Sequence, residues 1–134
     1  MTENVKDRPR SVHEHIFLMT KQERYFYDAD AVAEKASGSH GGFWVNGGPR
    51  NQRNVWTIST TPFPEAHFAT FPPEIPRRCI KAGGREGDTV LDPFGGSMTT
   101  LMEAKSLKRN GIAIELNPEY AEMGRRRIYP GGFE

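Results

Sequence analysis

The feature that most constrains the fold is a strand that leads into a glycine-rich turn and then a helix, over residues 90–100 (VLDPFGGSMTT). Gly95 and Gly96 permit backbone conformations that other residues rarely adopt, and they let the chain approach a ligand closely. A helix that starts here directs its unpaired N–H groups and the positive end of its dipole toward the turn. The stretch therefore predicts a ligand site at the carboxyl end of a strand in an open α/β sheet.

Strands and helices alternate around this turn. The four predicted elements are Thr89–Leu91, Thr99–Lys108, Ile112–Ile114 and Pro118–Ile128. Strand, helix, strand and helix joined by short loops are typical of a parallel α/β unit. A further helix is predicted over Pro73–Ala82, because proline is tolerated in a first helical turn and Gly83–Gly84 can end the helix.

The N-terminal part of the chain has a different pattern. Residues 8–30 are predicted to form a β-hairpin, because apolar and aromatic runs at residues 16–19 and 25–27 flank a polar turn at residues 20–23. Residues 31–35 suit a short helix.

Residues 37–54 are rich in Gly, Asn, His and Arg without periodicity, so they are predicted to be a loop. Arg50 and Arg53 are candidates for DNA contact, because a mixture of arginine, amide and aromatic residues can stack on or hydrogen-bond to bases. A solvated connector is the favoured interpretation. A short strand is predicted at Val55–Ile58. Arg125–Arg127 are interpreted as complementing a helix dipole rather than as binding phosphate.

Composition narrows the class of protein. The 134 residues fit one domain, and 18 Lys and Arg against 17 Asp and Glu argue against a chain that coats nucleic acid through bulk charge. The single cysteine, Cys79, excludes an internal disulfide, and the histidines lack metal-ligand spacing, so no metal site is expected. Neither a membrane span nor a signal peptide can be read, which predicts a soluble, cytoplasmic protein without membrane contact.

An acidic residue follows the second strand of the α/β unit. Glu115 lies 23 residues after Asp92, at the position from which a carboxylate accepts hydrogen bonds from ribose hydroxyls. A nucleoside-containing cofactor is therefore favoured over a plain tight turn with Glu115 as a helix-capping charge. A dinucleotide-binding fragment is a weaker hypothesis, because the turn lacks the spacing Gly-x-Gly-x-x-Gly.

Three segments carry a resemblance to a known family: residues 92–100 (DPFGGSMTT), 67–72 (HFATFP) and 114–120 (IELNPEY). Together they resemble the S-adenosylmethionine-dependent DNA methyltransferases of the permuted beta class, which modify the exocyclic amine of adenine or cytosine. The resemblance covers residues 8–128. It implies an α/β fold with a partial Rossmann-like sheet and a β-hairpin, S-adenosylmethionine as cofactor, and DNA as partner.

The resemblance also implies roles for individual residues. Thr70 and Phe71 would lie near the methionine end of the cofactor, and Glu115 would hold the ribose. The full cofactor set, within a cofactor-binding segment at residues 63–134, is Thr70, Phe71, Asp92, Phe94, Gly95, Gly96, Ser97, Thr99, Thr100, Glu115 and Asn117. Met98 departs from the pattern, because the family usually has glycine or another small or polar residue there. A positive φ at Met98 would cost about 1 kcal/mol or more and weaken cofactor binding.

The catalytic tetrapeptide of this family, an acidic or amide residue followed by Pro-Pro and an aromatic residue, is not found in the sequence. In the family it polarises the target amine and stacks the flipped base. The Pro-Pro pair at Pro72–Pro73 stands between Phe71 and Glu74. The chain is therefore interpreted as one incomplete methyltransferase domain over residues 1–134, without catalytic residues of its own. A complementary chain that carries the tetrapeptide is the expected partner.

Two functional hypotheses follow. The first is a DNA methyltransferase segment that binds S-adenosylmethionine and needs a partner chain or an N-terminal region for methyl transfer. The alternative is a catalytically inactive remnant that binds DNA or an intact methyltransferase. Residues 37–54 lie where the resemblance places part of the DNA-recognition region, so this loop is a candidate recognition remnant. The target base and the recognition sequence are not specified by these residues.

Overall fold

The computed structural model of the protein describes residues 6–9, 11–35, 39–40, 43–44, 48–59 and 71–132. Its strands are β1 (Glu34–Lys35), β2 (Ser39–His40), β3 (Phe43–Trp44), β4 (Pro49–Arg50), β5 (Thr89–Asp92) and β6 (Asn110–Ala113), and its helices are α1 (Glu74–Gly83), α2 (Thr99–Ser106) and α3 (Pro118–Ile128). The C-terminal part therefore runs α1, β5, α2, β6, α3. This order confirms the mixed α/β class.

A pair of parallel strands, β5 and β6, lies at the centre of the C-terminal part. Thr89 is opposite Asn110, and the register continues to Asp92 opposite Ala113. Helix α2 connects the two strands, which makes a βαβ unit. The predicted parallel unit is thus confirmed, and the ends of its elements and of α1 differ from the predicted ends by at most two residues.

Helix α2 covers one face of this strand pair. A Cβ atom at Gly111 would lie 2.9 Å from Leu101 Cγ, so α2 packs directly on the backbone of β6. Ala104, on the same helix, is fully buried. On the opposite face Leu91 and Ile112 are 60% and 55% exposed. Parallel sheets are normally covered on both faces. Among the described residues, however, nothing covers this apolar face.

Two arginines hold the helices together. Arg77 Nε on α1 donates to Glu103 Oε2 on α2 at 2.7 Å, and Arg77 Nη2 donates to Oε1 at 3.2 Å. Because Glu103 is buried, this bidentate hydrogen bond is strong, and it raises the pKa of Arg77. Arg109 donates to the carbonyl oxygens of Gly84 and Leu107, the residues at which α1 and α2 end. The C-terminal ends of both helices are therefore fixed by one side chain.

The N-terminal part differs from the prediction. The hairpin predicted over residues 8–30 is not formed, since residues 11–30 contain no strand. The chain does bend at residues 21–24, close to the predicted turn. The apolar side chains of residues 16–19 are between 50% and 84% exposed. An isolated two-stranded hairpin is only marginally stable, and these residues have no apolar surface to pack against among the described residues.

The predicted helix at residues 31–35 is also replaced. Asp28 Oδ1 accepts a hydrogen bond from Ala31 N at 2.9 Å and closes a single turn, after which β1 begins at Glu34. Such a bond can also cap a helix, but here no helix continues, because Glu34 and Lys35 pair with β4 instead.

The predicted loop at residues 37–54 contains short strands. Strand β1 pairs with β4, and β2 pairs with β3, both antiparallel. The strand predicted at Val55–Ile58 is absent: Val55 is exposed, and residues 55–58 have no ladder partner within the described part of the chain. Among the described residues, the helices are too short and too polar to cross a bilayer.

Candidate functional site

The glycine-rich turn lies where β5 and β6 end. Asp92, the last residue of β5, accepts a hydrogen bond through Oδ1 from Phe94 N at 3.0 Å, which begins the turn. Gly95 N then donates to Ile114 O at 2.8 Å, directly after β6. The turn is therefore anchored to both strands, at the edge of the sheet where ligands bind in open α/β folds.

The carboxylate of Glu115 joins the turn to the loop after β6. Its Oε2 accepts from Gly96 N at 2.7 Å, and its Oε1 accepts from Asn117 N at 2.8 Å. An ionised carboxylate offers about four acceptor positions, so these two bonds leave capacity for ligand hydroxyls. Three predicted cofactor residues, Gly96, Glu115 and Asn117, are thus brought together.

Asn117 has a second task in this loop. Its Oδ1 accepts from Glu119 N at 2.9 Å and caps α3, and Pro118 takes the first helical position. The side chain of Asn117 is therefore engaged in the helix cap, while its backbone N–H holds Glu115.

Met98 is the N-cap residue directly before helix α2, and it has φ 60° and ψ 28° in the left-handed region. The positive φ considered from the sequence is therefore present, and this conformation costs a residue with a Cβ about 1–2 kcal/mol. Packing offsets part of that cost, because Met98 is buried. A Cβ atom at Gly124 of α3 would overlap Met98 Cγ, so the methionine fills the space left by that glycine.

The hydroxyl groups near the start of α2 are arranged differently from one another. Ser97 Oγ and Thr99 Oγ1 are 3.1 Å apart, share a hydrogen bond and are buried. The Thr99 hydroxyl therefore bonds Ser97 instead of capping an amide of α2. Thr100 is half-buried and lies in the wall of a groove. The carbonyl oxygen of Ser97 accepts a hydrogen bond from Arg127 Nη1 of α3.

An open groove of about 670 Å³ lies between α1 and β5. Phe71, Asp92 and Thr100 line it, so three more predicted cofactor residues lie around one groove. Ligand pockets commonly measure roughly 300–1,000 Å³. Ile75 and Cys79 of α1 also line the groove, and partial burial raises the pKa of the Cys79 thiol. A raised pKa disfavours the thiolate, which is the nucleophilic form of cysteine.

Arg50 and Arg53 converge on Glu34. Arg50 Nη2 and Arg53 Nε lie 3.2 Å and 2.9 Å from the same oxygen, Glu34 Oε2. The hydrogen bond from the backbone N–H of Arg53 to this carboxylate, followed by the bond from its side chain, lowers the pKa of Glu34. Arg50 is partly buried in this cluster, whereas the side chain of Arg53 is 66% exposed.

One predicted cofactor residue, Thr70, lies outside the described residues. Across the described ranges, no three His, Cys, Asp or Glu residues are grouped so that they could hold a metal ion.

The contact between Arg127 and Ser97 was not predicted from the sequence. The available signal was Gly124, three residues before Arg127, because a glycine inside a helix often marks a close approach.

Comparison with known proteins gives consistent matches. The family model for DNA methylases of the N6/N4 type matches residues 1–126. The chain is 48% identical over 128 residues to the Type II methyltransferase M.XycI of Xanthomonas campestris pv. cyanopsidis, covering 96% of this chain and 40% of that protein. It is 44% identical over 126 residues to M.SmaI of Serratia marcescens, covering 94% and 41%. The chain therefore spans about 40% of the length of these relatives.

A solved structure also resembles the chain. The crystal structure of the M1.HpyAVI–SAM complex is 30% identical, with a TM-score of 0.51, over 58% of this chain and 39% of that one. This likeness confirms the Rossmann-like α/β fold class.

Proposed function

Because the chain belongs to the N6/N4 family of DNA methylases, we propose that it binds S-adenosylmethionine at the glycine-rich turn and contributes this site to DNA methylation. The observation that carries the proposal is the bridge by Glu115, whose carboxylate accepts from both Gly96 N and Asn117 N. The bridge unites the turn, the acid after β6 and the start of α3 in one site. M1.HpyAVI, which resembles this chain, was crystallised with the same cofactor.

The residues of the site fit the chemistry of this cofactor. Glu115 would accept hydrogen bonds from the ribose hydroxyls, and Phe94, which is 87% exposed, would contact the cofactor through its ring. Phe71 and Thr100, in the groove beside β5, would lie near the methionine end together with Thr70. The cofactor supplies a methyl group on a sulfonium, and the acceptor would be the exocyclic amine of adenine or cytosine.

Methyl transfer also needs groups that polarise the target amine, and we assign these to another polypeptide segment. The sequence has no Pro-Pro-aromatic tetrapeptide. The exposed apolar face of β5 and β6, with Leu91, Ile112 and Ile114, favours a segment that packs on it. M.XycI has 60% of its length outside its match with this chain, which is enough sequence to contain such a segment.

DNA contact is assigned to the region around β4. Arg53 would contact a phosphate, because its guanidinium is exposed, while Arg50 would hold Glu34 in place. Residues 37–54 would be the part of the recognition region that this chain supplies. The cytoplasmic location predicted from the sequence stays a prediction.

Calorimetric titration of the full chain with S-adenosylmethionine tests the cofactor site. Glu115→Gln keeps the shape of the side chain but directs an NH2 group toward one of two backbone N–H donors, so the affinity should fall about tenfold or more. Glu86→Gln is the matched control, because Glu86 is exposed beside Lys108, and its affinity should be unchanged. Equal affinities for the wild type and Glu115→Gln would contradict the assigned site.

Transfer of a labelled methyl group to DNA tests the need for a second segment. The chain alone should be inactive, and activity should appear after mixing with the part of M.XycI that lies outside its 128 matched residues. Methylation by the chain alone would show that methyl transfer does not require a second segment. Cofactor and partner binding without methylation would instead support the alternative of an inactive remnant that binds a methyltransferase.

A further inference from the structure

We propose that Arg127, in the last turn of α3, is a positioning residue for the glycine-rich turn. The inference rests on the proposed cofactor site and adds a residue from a different element to it. Arg127 Nη1 donates to Ser97 O, within the turn. Its neighbours Arg125 and Arg126 instead pair with Glu122 on their own helix, at 4.0 Å and 3.2 Å.

The register of α3 explains why the three arginines differ. Residues three apart share one face of a helix, so Arg127 lies on the face of Gly124. Gly124 is buried, and the side chain of Met98 fills the space that a Cβ there would occupy. The face of α3 that meets the turn therefore combines a glycine, which allows close approach, with a guanidinium that reaches the backbone.

Arg127 holds one end of a single peptide unit, the one between Ser97 and Met98. The other end of that unit is also held, because Met98 N donates to Gly95 O at 2.7 Å. Rotation of this peptide unit would change φ of Met98 and allow the residue to leave the left-handed region, which would relieve its strain. Because both ends are bonded, the rotation would break two hydrogen bonds at once.

The consequence is a preorganised turn. The orientation of this peptide unit determines the direction of the chain between Gly96 and the first residue of α2. Both of these positions belong to the proposed cofactor site. Arg127 is assigned to act on the site through the backbone of Ser97. If the three arginines only complemented the helix dipole, they would have similar effects when replaced.

Four variants of the full chain test this difference: Arg127→Met, Arg127→Lys, Arg126→Met and Arg125→Met. Two quantities are measured: the affinity for S-adenosylmethionine, and the hydrogen exchange of the Met98 amide without cofactor. Loss of a charged hydrogen bond in Arg127→Met should weaken binding about tenfold and accelerate Met98 exchange by a similar factor. Arg126→Met and Arg125→Met should match the wild type, and Arg127→Lys should be intermediate.

The inference is overturned if Arg127→Met resembles Arg126→Met in both measurements. If Arg127→Met does not fold by circular dichroism, Arg127→Lys decides, since wild-type exchange and affinity in that variant would also overturn it. Failure of the wild type to bind S-adenosylmethionine would refute the proposed function alone. The exchange of Met98 would still report whether Arg127 holds the turn.

Discussion

The apolar side chains of residues 71–132 differ in their contacts from those of residues 11–35 and 48–59. In the first region, Ile80, Met98 and Ala104 are buried where helices meet the β5–β6 pair. In the second region Val32 is buried, while the run at residues 16–19 is exposed. The first region closes a βαβ unit within neighbouring sequence, whereas the strand-forming run of the second needs a partner strand. Local sequence therefore suffices for one region and not for the other.

A charge placed in each region should give the largest difference in stability between the two. Ala104→Asp would bury an unpaired carboxylate between α2 and the strands, so the free energy of unfolding should fall by about 3 kcal/mol or more. Leu18→Asp is the matched change at an exposed site and should alter it by less than about 0.5 kcal/mol. Chemical denaturation followed by circular dichroism measures both. Equal losses would mean that residues 16–19 are packed in solution.

Particular residues show why sequence predicted one region better. Pro118 and Asn117 mark the start of α3, and the glycines at 95 and 96 mark the turn, so the elements from β5 to α3 follow from local signals. The run at residues 16–19 has strand composition, but a strand forms only with a partner, which composition does not supply.

Within the candidate site, too, some contacts follow from local sequence and others depend on packing. The spacing from Asp92 to Glu115 predicted a carboxylate near the turn, and the carboxylate contacts Gly96. The hydrogen bond from Arg127 to Ser97 joins residues 30 positions apart, and Gly124 signals only that α3 approaches another element closely, not which backbone atom Arg127 reaches. Contacts of that kind depend on how α3 packs, which only the folded chain defines.

At the junction of α1 and α2, a buried ion pair should contribute more to stability than an exposed one. Arg77→Met leaves the buried Glu103 carboxylate without its bidentate partner, so the free energy of unfolding should fall by about 2 kcal/mol. Lys108→Met removes an exposed pair with Glu86 and should cost no more than about 0.5 kcal/mol. Urea denaturation of the two variants gives the difference. Similar losses would indicate that the Arg77–Glu103 pair is hydrated like a surface pair.

A third prediction concerns the exposed face of β5 and β6, where the C-terminal region resembles the N-terminal one. Ile112→Lys should leave the stability of the chain within about 0.5 kcal/mol, because the side chain is exposed. It should nevertheless weaken binding of the complementary part of M.XycI about tenfold or more, since a lysine would be buried in the contact. Lys105→Arg, on the covering helix α2, is a control that keeps its charge. Unchanged binding in Ile112→Lys would mean that the partner packs elsewhere.

Acidification should have the smallest effect on stability, and it should act on the cluster of Glu34, Arg50 and Arg53 that links β1 to β4. Hydrogen bonds from Arg53 lower the pKa of Glu34, so the folded form releases this proton more readily than the unfolded form. The contribution of Glu34 is therefore complete above its unfolded pKa and is lost as the pH falls through its lower folded pKa. Hydrogen exchange near β1 should accelerate in that acidic range, while exchange in α2 should not. In Glu34→Gln this acid-dependent step should be absent, and a step that persists there would assign the titration to another group.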